Sequence, residues 1–140
     1  LNTPGPDLAA LDGVHALTDV TGFGLAGHAL EIARGAHCTV HIDWSAVPLL
    51  PGVRELAGQG MVTGASGRNW AAYGAEVALP DGFAPQDQAL LSDPQTSGGL
   101  LIAVPKERVA DFQAEADSRE IPMWQIGSVT AGSGITVLAS

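Results

Sequence analysis

Residues 14–42 read VHALTDVTGFGLAGHALEIARGAHCTVHI, and this stretch contains the pattern from which the fold is predicted. It opens with a short strand over residues 14–20, followed at residues 21–24 by a glycine-containing turn. A helix of about ten residues comes next, and Gly35 is predicted to end it. Residues 38–42 alternate between apolar and polar side chains, which is typical of a strand with one buried face. Strand, helix and strand in this order predict a β-α-β unit.

The predicted helix is amphipathic, with apolar side chains on one face and polar ones on the other at i, i+3 and i+6 spacing. The apolar positions are Leu25, Ala26, Ala29, Leu30 and Ala33, and the polar positions are His28, Glu31 and Arg34. On the following strand, Cys38, Val40 and Ile42 should face the core.

The middle of the chain, residues 43–67, is rich in proline and glycine. It predicts a short helix over residues 53–57 and a loose loop over residues 58–67. Residues 62–67 should be among the most mobile, because they combine glycines with few large apolar side chains.

The last third of the chain predicts further strands and one helix. Residues 100–104 are a continuous apolar run, which favours a strand covered on both faces in the middle of a sheet. Residues 106–118 carry apolar side chains at helical spacing, namely Val109, Phe112 and Ala116. Residues 123–130 and 134–138 resemble two strands joined by residues 131–133. The expected architecture is a mixed α/β fold.

Composition restricts the class of protein. The 140 residues suit one domain, and the 46% hydrophobic but only 5% aromatic content predicts a core of small aliphatic side chains. The net charge is −9 with six Lys and Arg, so neither nucleic acid nor an anionic membrane is an expected partner. No apolar run approaches the roughly 20 residues that cross a bilayer.

The N-terminal sequence and the cysteine content bear on location. Residues 1–12 show no signal-peptide pattern, and the absence of an initial Met suggests a segment of a longer chain. Cys38 is the single cysteine, so an internal disulfide is impossible, which fits a reducing compartment. We expect a cytoplasmic protein.

The turn after the first strand is the first candidate site. Its glycines, Gly22 and Gly24, let the backbone approach a ligand, and a helix N-terminus favours anions. Asp19 adds a hard oxygen ligand that suits Mg²⁺ beside a phosphate. Thr18 and Thr21 supply hydroxyl groups in the same turn. The alternative is that Asp19 or Thr21 only caps the helix.

A second polar stretch, residues 92–99, precedes the apolar run. It contains Asp93, Thr96 and Ser97 together with two glycines, and it resembles the first loop in kind. The alternative is an ordinary turn at strand entry. A third stretch, residues 64–69, offers Arg68 as a phosphate partner and Asn69 as a residue that fixes a loop, with a solvated turn as the alternative.

A dinucleotide-binding module is a further alternative. Gly22, Gly24 and Gly27 match the spacing G-x-G-x-x-G after a strand, and Asp43 stands at the end of the next strand. The polar end of the first strand and the absence of regular β-α repeats speak against it. The four histidines are scattered, so we expect neither a zinc site nor a Cys/His dyad.

Two motifs together resemble a known family. TDVTGFG at residues 18–24 with Gly27-His28, and DPQTSGGLL at residues 93–101, are similar to the C-terminal half of selenophosphate synthetase (selenide, water dikinase). The similarity extends from about residue 1 to residue 137. It implies a mixed β-sheet with helices packed mainly on one face, like the C-terminal domain of aminoimidazole ribonucleotide synthetase.

The resemblance also implies an activity. The family makes selenophosphate, AMP and phosphate from selenide, ATP and water, with magnesium required. It assigns Asp19 as a magnesium ligand, and it assigns no such role to Asp93, Thr96 or Ser97, which remain structural or nucleotide-side residues.

The family's N-terminal domain, which forms a homodimer and carries a Cys or selenocysteine and a catalytic Lys, has no match here. Residues 1–140 are therefore expected to be one domain that closes over the ATP site, holds no catalytic residue and is inactive alone. Cys38 lies outside the family motifs and is not the expected nucleophile.

Overall fold

The computed structural model describes residues 2–138, and this part of the chain contains six α-helices and six β-strands. The helices are α1 (Gly5–Ala9), α2 (Gly24–Ala36), α3 (Val53–Gly58), α4 (Gly64–Tyr73), α5 (Pro85–Leu91) and α6 (Val109–Ser118). The strands are β1 (Ala16–Asp19), β2 (Cys38–Asp43), β3 (Val77–Ala78), β4 (Leu100–Ala103), β5 (Gly127–Ala131) and β6 (Ile135–Leu138). No described helix is both long and apolar enough to cross a membrane.

Four strands form a mixed sheet in the order β3-β6-β2-β5. In it β2 runs parallel to β6 and antiparallel to β5, and β3 runs parallel to β6. Strands β1 and β4 form a separate antiparallel pair. The predicted mixed α/β architecture is confirmed.

The apolar face of α2 packs on the four-stranded sheet. Its buried side chains join Ile42, Ile135 and Val137 of that sheet in one hydrophobic core. Those α2 residues are Ala26, Ala29, Leu30 and Ala33, each at most 1% exposed. Small alanines let the helix approach the strands closely, and burial of Leu30 or Ile42 stabilises the fold by about 1.5–3 kcal/mol each. The predicted amphipathic face of α2 is confirmed.

The predicted β-α-β unit is wrong, because β1 and β2 belong to different sheets. Helix α2 leads from the β1-β4 pair to the four-stranded sheet. Local periodicity predicts both strands, but strand pairing depends on contacts far apart in the chain. The partner of β1 is β4, whose Leu100 lies opposite Asp19.

The predicted place of residues 100–104 in mid-sheet is also wrong. Among the described residues β4 pairs only with β1, and all four of its side chains are half-buried. Strands β5 and β6 follow one another in the chain but do not pair, because β2 lies between them. Strand β5 begins at Gly127 rather than at Met123.

The end of α2 differs from the prediction. Gly35 lies inside the helix, and the chain leaves it at His37, whose φ of 51° is left-handed and whose N–H donates to the Ala33 carbonyl. Histidine adopts this conformation more readily than most side chains do.

The predicted loose loop over residues 58–67 is wrong for its second half, where α4 begins. Thr63 caps this helix, because its hydroxyl oxygen accepts a hydrogen bond from the Ser66 N–H at 3.1 Å. Ser66 itself is only 2% exposed. Capping and burial outweigh the low helix propensity of Gly64 and Gly67.

Candidate functional site

Two polar segments predicted as candidate sites lie side by side in the structure. We call residues 18–24 loop A and residues 92–99 loop B. Loop A includes the last two residues of β1 and ends at the first residue of α2, and loop B leads into β4. Because β1 and β4 run antiparallel, the end of one strand adjoins the start of the other.

Backbone hydrogen bonds continue the strand pairing into the loops. The N–H of Val20 donates to the carbonyl of Gly99 at 2.9 Å, and the N–H of Gly98 donates to the carbonyl of Val20 at 3.1 Å. The N–H of Gln95 donates to the carbonyl of Thr21 at 2.9 Å. Loops A and B therefore form one hydrogen-bonded unit.

Two glycines allow the loops to approach each other this closely. Gly24 has a φ of +71°, and a Cβ atom there would lie 2.7 Å from the carbonyl carbon of Ser92. A Cβ atom on Gly98 would lie 2.8 Å from the carbonyl oxygen of Val20. By contrast, a Cβ atom on Gly22 would meet nothing within 4 Å, so Gly22 leaves its backbone open to a ligand.

Helix α4 holds both loops through three side chains at i, i+3 and i+7. The Asn69 amide nitrogen donates to the carbonyl of Gly22 at 2.9 Å and to the carbonyl of Ser92 at 3.0 Å. The hydroxyl of Tyr73 donates to the carbonyl of Phe23. Ser66 donates to Asp93 at 3.2 Å.

Sequence reasoning gave Asn69 its loop-fixing role and missed Ser66 and Tyr73. The helical spacing of the three residues is the signal that would have found them, had residues 64–73 been predicted as a helix.

The carboxylate of Asp93 is occupied by protein donors. Its Oδ1 accepts from Thr63 at 3.1 Å and from Ser66, and its Oδ2 accepts from the Gln95 amide at 3.3 Å. Asp93 thus fixes the start of loop B to α4. This arrangement fits the structural role considered for it.

Asp19 differs from Asp93 because its carboxylate is exposed at the end of β1. Within residues 2–138 no hydrogen bond or ion pair engages its side chain; the Thr18 hydroxyl donates only to its backbone carbonyl, at 3.1 Å. Neither Asp19 nor Thr21 caps α2, whose N-cap is Phe23 without a side-chain bond. The capping alternative is therefore wrong, and Asp19 presents a free carboxylate.

The hydroxyl of Thr21 instead contacts a histidine of α2. Thr21 Oγ1 and His28 Nε2 lie 3.2 Å apart, and the His28 ring lies 5.6 Å from the Phe23 ring. His28 therefore supports loop A from the first turns of α2. On loop B, Thr96 and Ser97 are exposed, and Ser97 has a left-handed φ of 52°.

One arginine near the loops has no acidic partner. Arg68 is exposed on α4, next to Asn69, and it forms no ion pair within the described residues. The other arginines, Arg34, Arg54, Arg108 and Arg119, are all paired with carboxylates. A guanidinium without a carboxylate partner is suited to a phosphate. The solvated-turn alternative for this segment is wrong, because it is helical.

Asp19 could serve as one ligand of a magnesium site. Nowhere in residues 2–138 do three or more His, Cys, Asp or Glu side chains cluster so that they could hold a metal. Mg²⁺ is usually bound by one or two carboxylates, with phosphate oxygens and water completing its shell. Asp19 fits as one such carboxylate, and the remaining ligands would come from outside this chain.

The structure argues against a dinucleotide-binding module. Strands β1 and β2 are not neighbours, and the Asp43 carboxylate accepts hydrogen bonds from the N–H and hydroxyl of Ser45 at 3.1 and 2.8 Å. Gly27 is required by packing, since a Cβ atom there would lie 2.6 Å from Cβ of Phe23 and 3.0 Å from the Tyr73 ring.

Comparison with protein families gives a match over nearly the whole chain. Residues 5–140 match the model of the AIR synthase related protein, C-terminal domain. The selenide, water dikinase of Pseudomonas straminea is 55% identical over 134 residues, which are 95% of this chain and 38% of that protein. The enzyme of the same name from Burkholderia ambifaria is 61% identical over 114 residues, which are 81% of this chain and 32% of that protein.

Solved structures show the same fold. The hydrogenase maturation protein HypE of E. coli has a TM-score of 0.65 at 24% identity over 96% of this chain and 35% of that one. Thiamine-monophosphate kinase of Stenotrophomonas maltophilia has a TM-score of 0.58 at 19% identity over 89% of this chain and 31% of that one. Relative to the two selenide, water dikinases named above, the chain spans about a third of their length.

Proposed function

The chain belongs to the family of AIR synthase related C-terminal domains, and from this we propose that it is the C-terminal domain of a selenide, water dikinase. In the proposed reaction, selenide, ATP and water give selenophosphate, AMP and phosphate. The dikinase names of its relatives and the match over 95% of the chain support this proposal.

The observation that carries the proposal is the free carboxylate of Asp19. The carboxylate of Asp93 is occupied by hydrogen bonds, whereas that of Asp19 is exposed and has no partner within residues 2–138. An anionic oxygen kept free on an ordered framework is suited to a cation. When bound there, magnesium would neutralise charge on the phosphate oxygens of ATP.

The other residues of the loops would bind and orient the nucleotide. Gly22 offers open backbone for close approach of a phosphate, and Arg68 on α4 offers a positive charge that has no ion pair within the described residues. The hydroxyls of Thr96 and Ser97 are exposed on loop B and are available to a ligand. We assign no catalytic group to this segment, and Cys38 is buried in β2.

The rest of the proposed enzyme would lie in a separate N-terminal domain. That domain would supply the nucleophile, the remaining metal ligands and the homodimer contact, and the present domain would close over the ATP site. We propose that the protein works in the cytoplasm and that residues 1–140 alone are inactive.

Product analysis of the full-length protein tests the proposal. With selenide, ATP and magnesium, phosphorus NMR should show selenophosphate and AMP in equal amounts, and omission of selenide should abolish the selenophosphate signal. Residues 1–140 alone should release no AMP. Absence of selenophosphate from the full-length reaction, or turnover by residues 1–140, would contradict the proposal.

A further inference from the structure

Asn69 lies where α4 meets both loops, and its side chain contacts each of them. Its amide nitrogen is within hydrogen-bond distance of the carbonyl oxygens of Gly22 and Ser92. Both partners can only accept, so both protons of the amide group are used. One side chain therefore links the two loops, in addition to their direct backbone hydrogen bonds.

Loop A connects this contact to Asp19. Gly22 is three residues from Asp19, and between them Val20 and Thr21 are hydrogen-bonded to loop B. The segment therefore has few ways to move once Gly22 is held. We propose that Asn69 is a positioning residue, which places the Asp19 carboxylate for the cation and nucleotide; this inference rests on the proposed function.

The surroundings of Asn69 support a positioning role. Ser66 and Tyr73 hold loop B and loop A from the same face of α4, but each contacts one loop only. Neither can replace the bridge that Asn69 makes. Asn69 is itself only partly buried, so its contribution to the hydrophobic core is small.

The substitution Asn69→Asp tests the bridge with little change in volume. It removes both donors and places an anionic oxygen beside two carbonyl oxygens. In the full-length enzyme we expect the magnesium concentration for half-maximal AMP release to rise about tenfold or more, since a misplacement of about 1 Å costs up to 10²-fold in rate. Asn69→Ala should give the same direction of change.

A core variant outside both loops separates positioning from general destabilisation. Ile135→Val removes one methylene group from the buried core of β6, far from Asn69 in sequence and outside both loops. It should lower the thermal midpoint and leave the magnesium requirement unchanged. An unchanged magnesium requirement in Asn69→Asp would overturn the proposal.

Hydrogen exchange provides a readout that does not depend on activity. In Asn69→Ala, amide exchange should become faster in peptides covering residues 19–24 and residues 95–99 together, because the bridge joins both loops. Faster exchange confined to α4 would indicate a local structural role and would overturn the proposal. If the wild-type enzyme makes no selenophosphate, the proposed function fails, and exchange still decides whether Asn69 positions the loops.

Discussion

The guanidinium of Arg54 on α3 lies 2.6 Å from the carboxylate of Asp87 on α5, and this carboxylate is only 3% exposed. The hydrogen bond to Asp87 raises the pKa of Arg54. The other carboxylate oxygen of Asp87, Oδ1, has no hydrogen-bond partner within the described residues. Arg54 is therefore the charge that compensates a buried anion and joins two helices.

Removal of Arg54 should destabilise the fold more than removal of an arginine whose ion pair is exposed. Arg54→Ala leaves the Asp87 carboxylate buried without a counter-charge, which is costly. We expect a lower thermal midpoint than for Arg119→Ala, which removes an arginine paired with the exposed Glu115. Equal midpoints for the two variants, measured by circular dichroism, would contradict this role for the pair.

Asp19→Asn in the full-length enzyme should preserve the fold and impair the reaction. The amide is nearly isosteric but lacks the charge that a cation needs, so activity should fall by about tenfold or more and recover in part at high magnesium. Asp81→Asn, which changes an exposed aspartate in a turn outside loops A and B, should retain full activity. Full activity of Asp19→Asn would refute the ligand role.

Two glycines of α2 should respond in opposite ways to alanine. Gly27→Ala should destabilise the domain by about 1–3 kcal/mol, because the new methyl group would overlap Phe23 and Tyr73. Gly35→Ala should stabilise it by about 0.5–1 kcal/mol, because nothing lies within 4 Å and alanine favours the helix. Urea unfolding of both variants measures the difference. If Gly27→Ala leaves the free energy of unfolding unchanged, packing does not require a glycine at this position.

Stability should fall at alkaline pH through Tyr73. Burial raises the pKa of Tyr73 to about 12 from the usual value of 10. Below pH 10 the phenol is protonated in both states, and between pH 10 and 12 the unfolded chain loses its proton first, so the free energy of unfolding decreases as pH rises. Tyr73→Phe should lose less stability over this range. Tyr73 is the only tyrosine of the 140 residues, so phenolate absorbance reports its titration directly.

Much of the local structure was predictable because side-chain periodicity encodes it. The alternation at residues 38–42 predicted β2, and the spacing of Val109, Phe112 and Ala116 predicted α6. Residues 64–67 were predicted as a loop, but they form the first turn of α4. Two glycines and a serine there suggest a loop, but the Thr63 cap and the tertiary contacts of Ser66 start a helix.

The candidate site was only partly predictable. Loops A and B were recognised from their glycines and polar residues, and Asp19 was singled out in loop A. Only the family resemblance separated Asp19, as a magnesium ligand, from Asp93, because both are aspartates beside glycine-containing turns. Tertiary contacts make the difference: Thr63, Ser66 and Gln95 occupy one carboxylate, and the other is left free.

Local sequence patterns predicted most of the strands, the helices α2, α3 and α6, and the amphipathic face of α2, because each of these depends on neighbours within a few residues, whereas α1, β3, α4 and α5 were not predicted. The pairing of β1 with β4 instead of β2, and the union of loops A and B by hydrogen bonds, could be seen only once the chain was folded. These contacts join segments that are far apart along the chain. Residues about 80 positions apart share hydrogen bonds across this seam, and no local pattern specifies which distant backbone groups meet.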